Sequence, residues 1–151
     1  MGEHKQGYGG FPAGTVVGSN IIEDIKEGDL VESYDARGNV FCRREVLKIA
    51  CSRVDVLLKI ILASGSVIAC TPGHFVFTGV GWRKASDLQR HDFMHRVGLR
   101  SMRFVQVVDV QYLSDAGVKR YCPEGVVYNL GVEDTNSYLV DEGYVVRACH
   151  S

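Results

Sequence analysis

The sequence predicts an all-β domain. Its apolar segments are short and alternating, rich in Val, Ile, Tyr and Phe, and bounded by Gly, Asp, Asn or Ser. Gly is abundant, at 17 residues, and Pro scarce, at 3. Helical periodicity is weak throughout. About ten short strands at such spacing indicate a β architecture and not a helical or α/β one.

Taken in order, residues 1–9 read as a flexible lead-in. Strands are expected at 16–17, 30–34, 40–46, 54–62, 67–70 and 75–78, then at 104–113, 126–132, 137–140 and 144–146. Residues 35–39 and 63–66 read as hairpin connections because they gather Asp, Gly, Asn and Ser between apolar runs. Residues 22–25 and 84–88 can each form one helical turn. The polar, basic stretch 90–103 reads mainly as a loop. No repeat of fixed period and no low-complexity linker is visible, so the chain reads as one domain.

Composition excludes several function classes. The chain has 151 residues, 46% apolar and 23% charged, enough for one full core. Seventeen Lys and Arg against eighteen Asp and Glu give a net charge of −1, which argues against a nucleic-acid or anionic-membrane partner. The apolar runs fall far short of the roughly 20 residues of a membrane span, and the N-terminus has no apolar leader. Five cysteines, an odd number without Cys-x-x-Cys spacing, argue against a disulfide framework and a zinc site. A soluble cytoplasmic domain without metal or cofactor is the expectation.

Specific residues then appear in a particular order. Gly10 is followed by Phe11-Pro12-Ala13-Gly14-Thr15, and residues 21–29 lead into a strand. Thr71-Pro72-Gly73-His74 follows a strand, and Trp82 precedes Lys84-Ala85-Ser86-Asp87-Leu88. The end reads Val127-Tyr128-Asn129-Leu130, Tyr138-Leu139-Val140 and Arg147-Ala148-Cys149. This series, from Gly10 to Cys149, resembles the hedgehog–intein (Hint) family, in particular a mini-intein or a bacterial intein-like domain.

The resemblance implies a flat all-β horseshoe with pseudo-twofold symmetry, whose two chain ends meet at a central splice site. It implies autocatalytic protein splicing: an N-to-S or N-to-O acyl shift, transesterification, and Asn cyclisation. Covalent steps of this kind divide one difficult amide exchange into easier ones. The partners would be the chain's own flanking exteins, acted on in cis by a monomer. The domain would span 10–148, with 1–9 as tag and N-extein remnant and 149–151 as C-extein remnant.

Residue by residue, Thr71 and His74 match Thr-x-x-His, whose imidazole works on the N-terminal scissile amide. Gly10 stands at the first nucleophile and has no side chain to attack with. Ala148 stands at the cyclising Asn and cannot cyclise. Arg147 stands where a His commonly assists that step. Cys149 falls at the first C-extein position and offers a thiol. Asn129 stands where splicing members often carry Asp, and Asn136 where many carry His; an amide can hydrogen-bond there but not exchange protons.

The expected state is therefore a precursor with both terminal steps blocked. A bacterial intein-like domain that mainly cleaves its flanks, and a retired fold serving as a β-module, are the alternatives. A subclass that starts without a terminal nucleophile expects Trp and Cys where Val76 and Asn129 stand, and does not fit. Trp82 and Cys42, Cys51, Cys70 and Cys122 read as packing residues. The segment near 91–103, where many members insert a homing endonuclease, is too short to hold one, and its basic residues read as a solvated face.

Overall fold

A computed structural model of the chain describes residues 9–149. Its strands are β1 (Phe11–Pro12), β2 (Val16–Val17), β3 (Asn20–Ile21), β4 (Leu30–Asp35), β5 (Val40–Arg53), β6 (Val56–Leu62) and β7 (Val67–Cys70). There follow β8 (Phe75–Thr78), β9 (Gly81–Lys84), β10 (Phe93–Gly98), β11 (Ser101–Ser114), β12 (Val126–Val132), β13 (Ser137–Val140) and β14 (Tyr144–Arg147). Helix is confined to α1 (Ala116–Tyr121) and to single turns at Ile22–Asp24 and Ala85–Asp87. The all-β expectation holds, as do both helical turns. None of the described helices is long and apolar enough to cross a membrane.

Two sheets share the strands. One has the order β1-β12-β5-β4; the other runs β13-β14-β8-β10-β11-β6-β7, with β9 beside β8. The strands β5 and β11 are 14 residues each and join the two halves. β5 leaves its hairpin partner β4 and ends on β12, which comes from the second half. β11 leaves β10 and ends on β6, which comes from the first. Each of these exchanged pairings carries a register irregularity, at Gly131/Val132 and Val107/Asp109. Such bulges increase local bend and twist.

The exchange rests on an internal repeat that the sequence conceals. Residues 22–29 and 85–92 fold alike. The Asp29 carboxylate accepts the Lys26 N–H at 2.8 Å, and Asp92 accepts the Gln89 N–H at 2.8 Å. The Asp29 and Asp92 carbonyls accept the N–H groups of Val46 and Val107, each at 2.8 Å. Gly28 and His91 occupy the same left-handed position, at φ +92° and +85°. Only the Asp pairs Asp24/Asp87 and Asp29/Asp92 and the apolar pairs Ile22/Ala85 and Ile25/Leu88 are shared in kind. That is too little for a period to show in the sequence, where no repeat of fixed period is visible.

The stretch 90–103 is corrected from loop to hairpin. Met94, His95 and Val97 turn inward and are buried, while Arg96 reaches Glu142 at 3.1 Å on the edge. The inward pair Met94/Val97 is interrupted by polar residues, so the stretch reads as polar although β10 pairs with β8, β11 and β14. The hairpin closes at Gly98 and Ser101, which leaves a short turn where a further domain would have to enter.

The principal core cluster contains Phe11, Leu130, Tyr138, Val146 and Ala148, all almost fully buried. Both ends of the described chain therefore sit in the interior. A buried hydroxyl network fixes the turn before β13. Ser33 Oγ lies 2.6 Å from Thr135 Oγ1 and donates to the Ser137 carbonyl at 2.9 Å. Ser137 Oγ in turn donates to the Tyr34 carbonyl at 2.9 Å. Buried hydroxyls without such partners would be costly.

Candidate functional site

β12 aligns the two chain ends. β1 pairs with it through Phe11 opposite Tyr128 and Pro12 opposite Val127. Farther along the same strand, the Cys149 N–H donates to the Leu130 carbonyl at 2.9 Å. Asn129 lies between these two attachments and is buried. The Ala148 N–H donates to the Asn136 carbonyl at 2.9 Å, which extends the β13–β14 pairing by one bond.

Thr71 directly follows β7, itself paired with β6, and so arrives from a different sheet. Its Oγ1 accepts the Gly10 N–H at 2.9 Å, and its own N–H donates to the Gly10 carbonyl at 3.1 Å. Pro72 and Gly73 make the turn, closed by the His74 N–H on the Thr71 carbonyl at 3.1 Å. The turn delivers the His74 imidazole edge-on to the Phe11 ring, with centroids 4.6 Å apart.

His74 reaches both ends. Its Nε2 lies 2.9 Å from the Arg147 carbonyl oxygen. A carbonyl can only accept, so Nε2 carries the proton and Nδ1 the lone pair. Nδ1 is buried, has no hydrogen-bond partner among the described residues, and faces Gly9. Burial pushes the His74 pKa down to about 4, opposed by the bond to the Arg147 carbonyl. At neutral pH the ring is an uncharged base beside the Gly9–Gly10 peptide.

The C-terminal side is buried. Cys149 is buried, and burial raises its thiol pKa, with nearby Lys48 pulling the other way. Asn129 Oδ1 accepts the Tyr138 hydroxyl at 2.6 Å and the Leu130 N–H at 2.9 Å. Burial also raises the Tyr138 hydroxyl well above its ordinary range.

Of the residues singled out from sequence, Gly10, Thr71, His74, Asn129, Ala148 and Cys149 are gathered along β12 and its flanks. Asn136, at φ +57°, contributes its backbone carbonyl. Arg147 enters through its carbonyl, whereas its guanidinium lies over the Trp82 ring at 5.0 Å. Sequence reasoning did not single out Tyr138 or Gly9. A tyrosine in an apolar strand reads as core, and a glycine in a lead-in reads as linker. Gly10 is tightly enclosed: a Cβ there would lie 2.9 Å from the Tyr128 carbonyl oxygen and 2.9 Å from Val127 Cγ2.

No protein-family model and no curated protein matches the sequence. The likeness lies in solved structures. A bacterial intein-like domain from Clostridium thermocellum shares 26% identity at a TM-score of 0.76, over 91% of this chain and 97% of that one. A DnaB intein from Synechocystis shares 13% at 0.78, over 93% and 98%. The gp41-1 intein shares 20% at 0.69, over 95% and 98%. The last two likenesses speak for the fold alone. With the exchanged β5/β12 and β11/β6 pairings and both chain ends on one strand, these neighbours show that the chain has the hedgehog–intein (Hint) fold, similar in structure to mini-inteins and to a bacterial intein-like domain.

Proposed function

We propose that the domain performs protein-splicing chemistry in cis on the segments that flank it, and that Gly10 and Ala148 hold this chain as an unreacted precursor. The domain proper is 10–148; most of each flank, 1–8 and 150–151, lies outside the described residues. It acts as a monomer in the cytoplasm and uses no cofactor, nucleic acid or membrane. One observation carries the reading: a single buried imidazole, His74, faces the N-terminal junction with Nδ1 and bonds beside the C-terminal junction with Nε2.

The steps follow from the groups present. With Cys at position 10, its thiol proton passes to His74 Nδ1 and the sulfur attacks the Gly9 carbonyl carbon. The C–N bond breaks, and the departing amine takes the proton back from Nδ1. The Thr71 hydroxyl accepts the N–H of that amide, and the Thr71 N–H holds the Gly10 carbonyl of the next peptide. The Cys149 sulfur takes the acyl group from the new thioester as the bond to the sulfur at position 10 breaks, and the Cys149 thiol proton passes to that departing sulfur. The side-chain nitrogen of an Asn at 148 then closes on its own main-chain carbonyl, the bond to the Cys149 nitrogen breaks and that amine takes the proton, and the freed amine displaces its own sulfur from the acyl group to leave an ordinary peptide bond. Glycine supplies no thiol and alanine no amide nitrogen, so neither terminal step proceeds here.

A second reading, cleavage of the flanks without ligation, draws support from Arg147. Its guanidinium packs on Trp82, so the residue preceding the cyclising position presents a carbonyl where an imidazole commonly helps. The double variant Gly10→Cys, Ala148→Asn between foreign flanking proteins separates the readings by gel and intact mass. Joined flanks support splicing. Separate fragments support cleavage. An intact precursor with the fold preserved overturns both and leaves a non-catalytic β-module.

A further inference from the structure

We propose that Lys48 is the cation that steadies the Cys149 sulfur while it takes up the acyl group, and that Gly131 is the gap through which the lysine stem passes. The role in transfer rests on the splicing reading; the contact itself rests on geometry.

Lys48 lies on β5, and Gly131 stands opposite it on β12. Gly131 is buried, and its φ lies outside the left-handed region, so conformation does not call for glycine there. Space does call for it. A Cβ built at Gly131 would lie 2.7 Å from Lys48 Cγ, 3.4 Å from Lys48 Cδ and 3.5 Å from the Cys149 carbonyl oxygen. Gly38 and Gly73, which also lie outside the left-handed region, would find nothing within 4 Å of such a Cβ. The Lys48 stem therefore crosses β12 at Gly131, on the face where Cys149 stands. Cys149 is tied to the same strand one residue earlier, through its N–H on the Leu130 carbonyl. Lys48 is half-buried, as suits a lysine whose stem packs and whose ammonium reaches outward.

The other groups around Cys149 bring no positive charge. Tyr138 comes from β13, and burial keeps its hydroxyl protonated. His74, from the turn before β8, is uncharged at neutral pH. Asn129 of β12 can hydrogen-bond but takes no proton. Burial raises the Cys149 thiol, and Lys48 opposes that rise. In the transfer step the Cys149 sulfur bonds to the acyl carbon, the acyl bond to the sulfur at position 10 breaks, and the thiol proton passes from the first sulfur to the second. Lys48 keeps its own proton throughout. Its charge favours the moment at which the Cys149 sulfur has lost its proton and not yet gained the acyl carbon.

The first test needs no splicing reaction. Alkylation of Cys149 by neutral iodoacetamide and by anionic iodoacetate would be followed by peptide mass. The proteins are the chain as it is and its Lys48→Met, Lys48→Arg and Gly131→Ala variants, with Cys42 as internal control and amide spectra to report the fold. Lys48→Met should slow iodoacetamide about threefold to tenfold, because fewer sulfurs are thiolate. It should slow iodoacetate further, because the anion loses its attraction. Lys48→Arg should keep both rates, and Gly131→Ala should lose part of each. A pocket merely loosened would speed both reagents alike. An unchanged preference between the reagents in Lys48→Met overturns the proposal.

The second test uses Gly10→Cys with Ala148 kept, so that the transferred acyl group stays on Cys149 as a branched chain visible by gel and intact mass. Lys48→Met should slow branching about tenfold and leave thiol-induced release at the first junction at the parent rate. Gly131→Ala should slow branching where Lys48 is present and add nothing in Lys48→Met, since both remove one contact. Equal slowing of branching and release, or full additivity of the two substitutions, overturns the role in transfer. If neither release nor branching occurs in the Gly10→Cys chain, the splicing reading fails, and the alkylation preference still decides the contact.

Discussion

Thr71 holds Gly10 at both of its peptide groups, accepting the N–H at Oγ1 and donating its own N–H to the carbonyl. Only the first of these bonds uses the side chain. In the Gly10→Cys background, Thr71→Ala should therefore slow thiol-induced N-terminal release by roughly tenfold or more, the scale of one lost polar contact at a reacting group. Thr71→Ser should keep most of the rate. Release from Thr71→Ala at the parent rate would leave the hydroxyl without a role.

The His74 ring gives stability a pH slope of known sign. An unfolded His titrates near its ordinary value of 6.5, whereas burial pushes His74 down to about 4. Between those values the unfolded chain binds more protons, so stability falls as pH drops. The loss should reach roughly 2–3 kcal/mol by pH 4.5. Burial lowers His95 as well, so the parent slope has two sources. Urea midpoints at pH 7 and 4.5 should show a shallower slope in His74→Gln, whose amide can still donate to the Arg147 carbonyl. Equal slopes in both proteins would remove His74 as a source.

Thiol chemistry offers a third check on the chain as it stands. Cys51 is exposed and Cys42 half-buried, whereas Cys149 is buried and Cys70 is fully enclosed with its thiol pushed up to about 12. The thiolate is the reacting form. Alkylation followed by peptide mass should label Cys51 and Cys42 first, Cys149 later and Cys70 last. Early labelling of Cys149 would mean that its pocket is open and its thiol already activated.

The internal repeat supplies a fourth. His91 holds φ +85° where its counterpart Gly28 holds +92°. A residue with a Cβ at such an angle costs about 1–2 kcal/mol, partly offset by the extra freedom glycine brings to the unfolded chain. His91 is exposed, so His91→Gly loses no core packing. It should stabilise the fold by about 1 kcal/mol, read from the urea midpoint. A lower midpoint would show that the imidazole contributes more than its backbone costs.

The strands that the sequence displayed are those with one consistently apolar face. β7, β8, β12 and β13 are predicted at the bounds the structure gives them. β10 was hidden because Arg96 and His95 break its apolar pattern, and β9 because Gly81, Trp82, Arg83 and Lys84 offer no alternation. α1 has one buried residue, Val118, too little for a helical period. In the site, short linear signatures were legible: Thr71 with His74, and Phe11 through Thr15. What comes together only in space was not. That Gly9 lies beside His74, or that Arg147 enters by its carbonyl, depends on β-strands far apart in sequence meeting at β12.

Tyr138 tests whether the C-terminal side is tuned separately from the N-terminal side. Its hydroxyl donates to Asn129 Oδ1, Asn129 also accepts the Leu130 N–H, and the Leu130 carbonyl takes the Cys149 N–H. This series ends at Cys149, whereas Thr71 and His74 Nδ1 lie at Gly10 and Gly9. Tyr138→Phe keeps the ring on Phe11, 6.2 Å away between centroids, and removes only the hydroxyl. Its stability cost should be about 1 kcal/mol, that of one buried hydrogen bond. In the Gly10→Cys, Ala148→Asn background, the variant should form ligated product more slowly, while thiol-induced release at the first junction proceeds at the parent rate. Asn129 would lose a donor that orients it, and the strand segment presenting Cys149 would loosen. Equal slowing of both steps would mean that the hydroxyl only supports the fold, and that the two junctions share one environment.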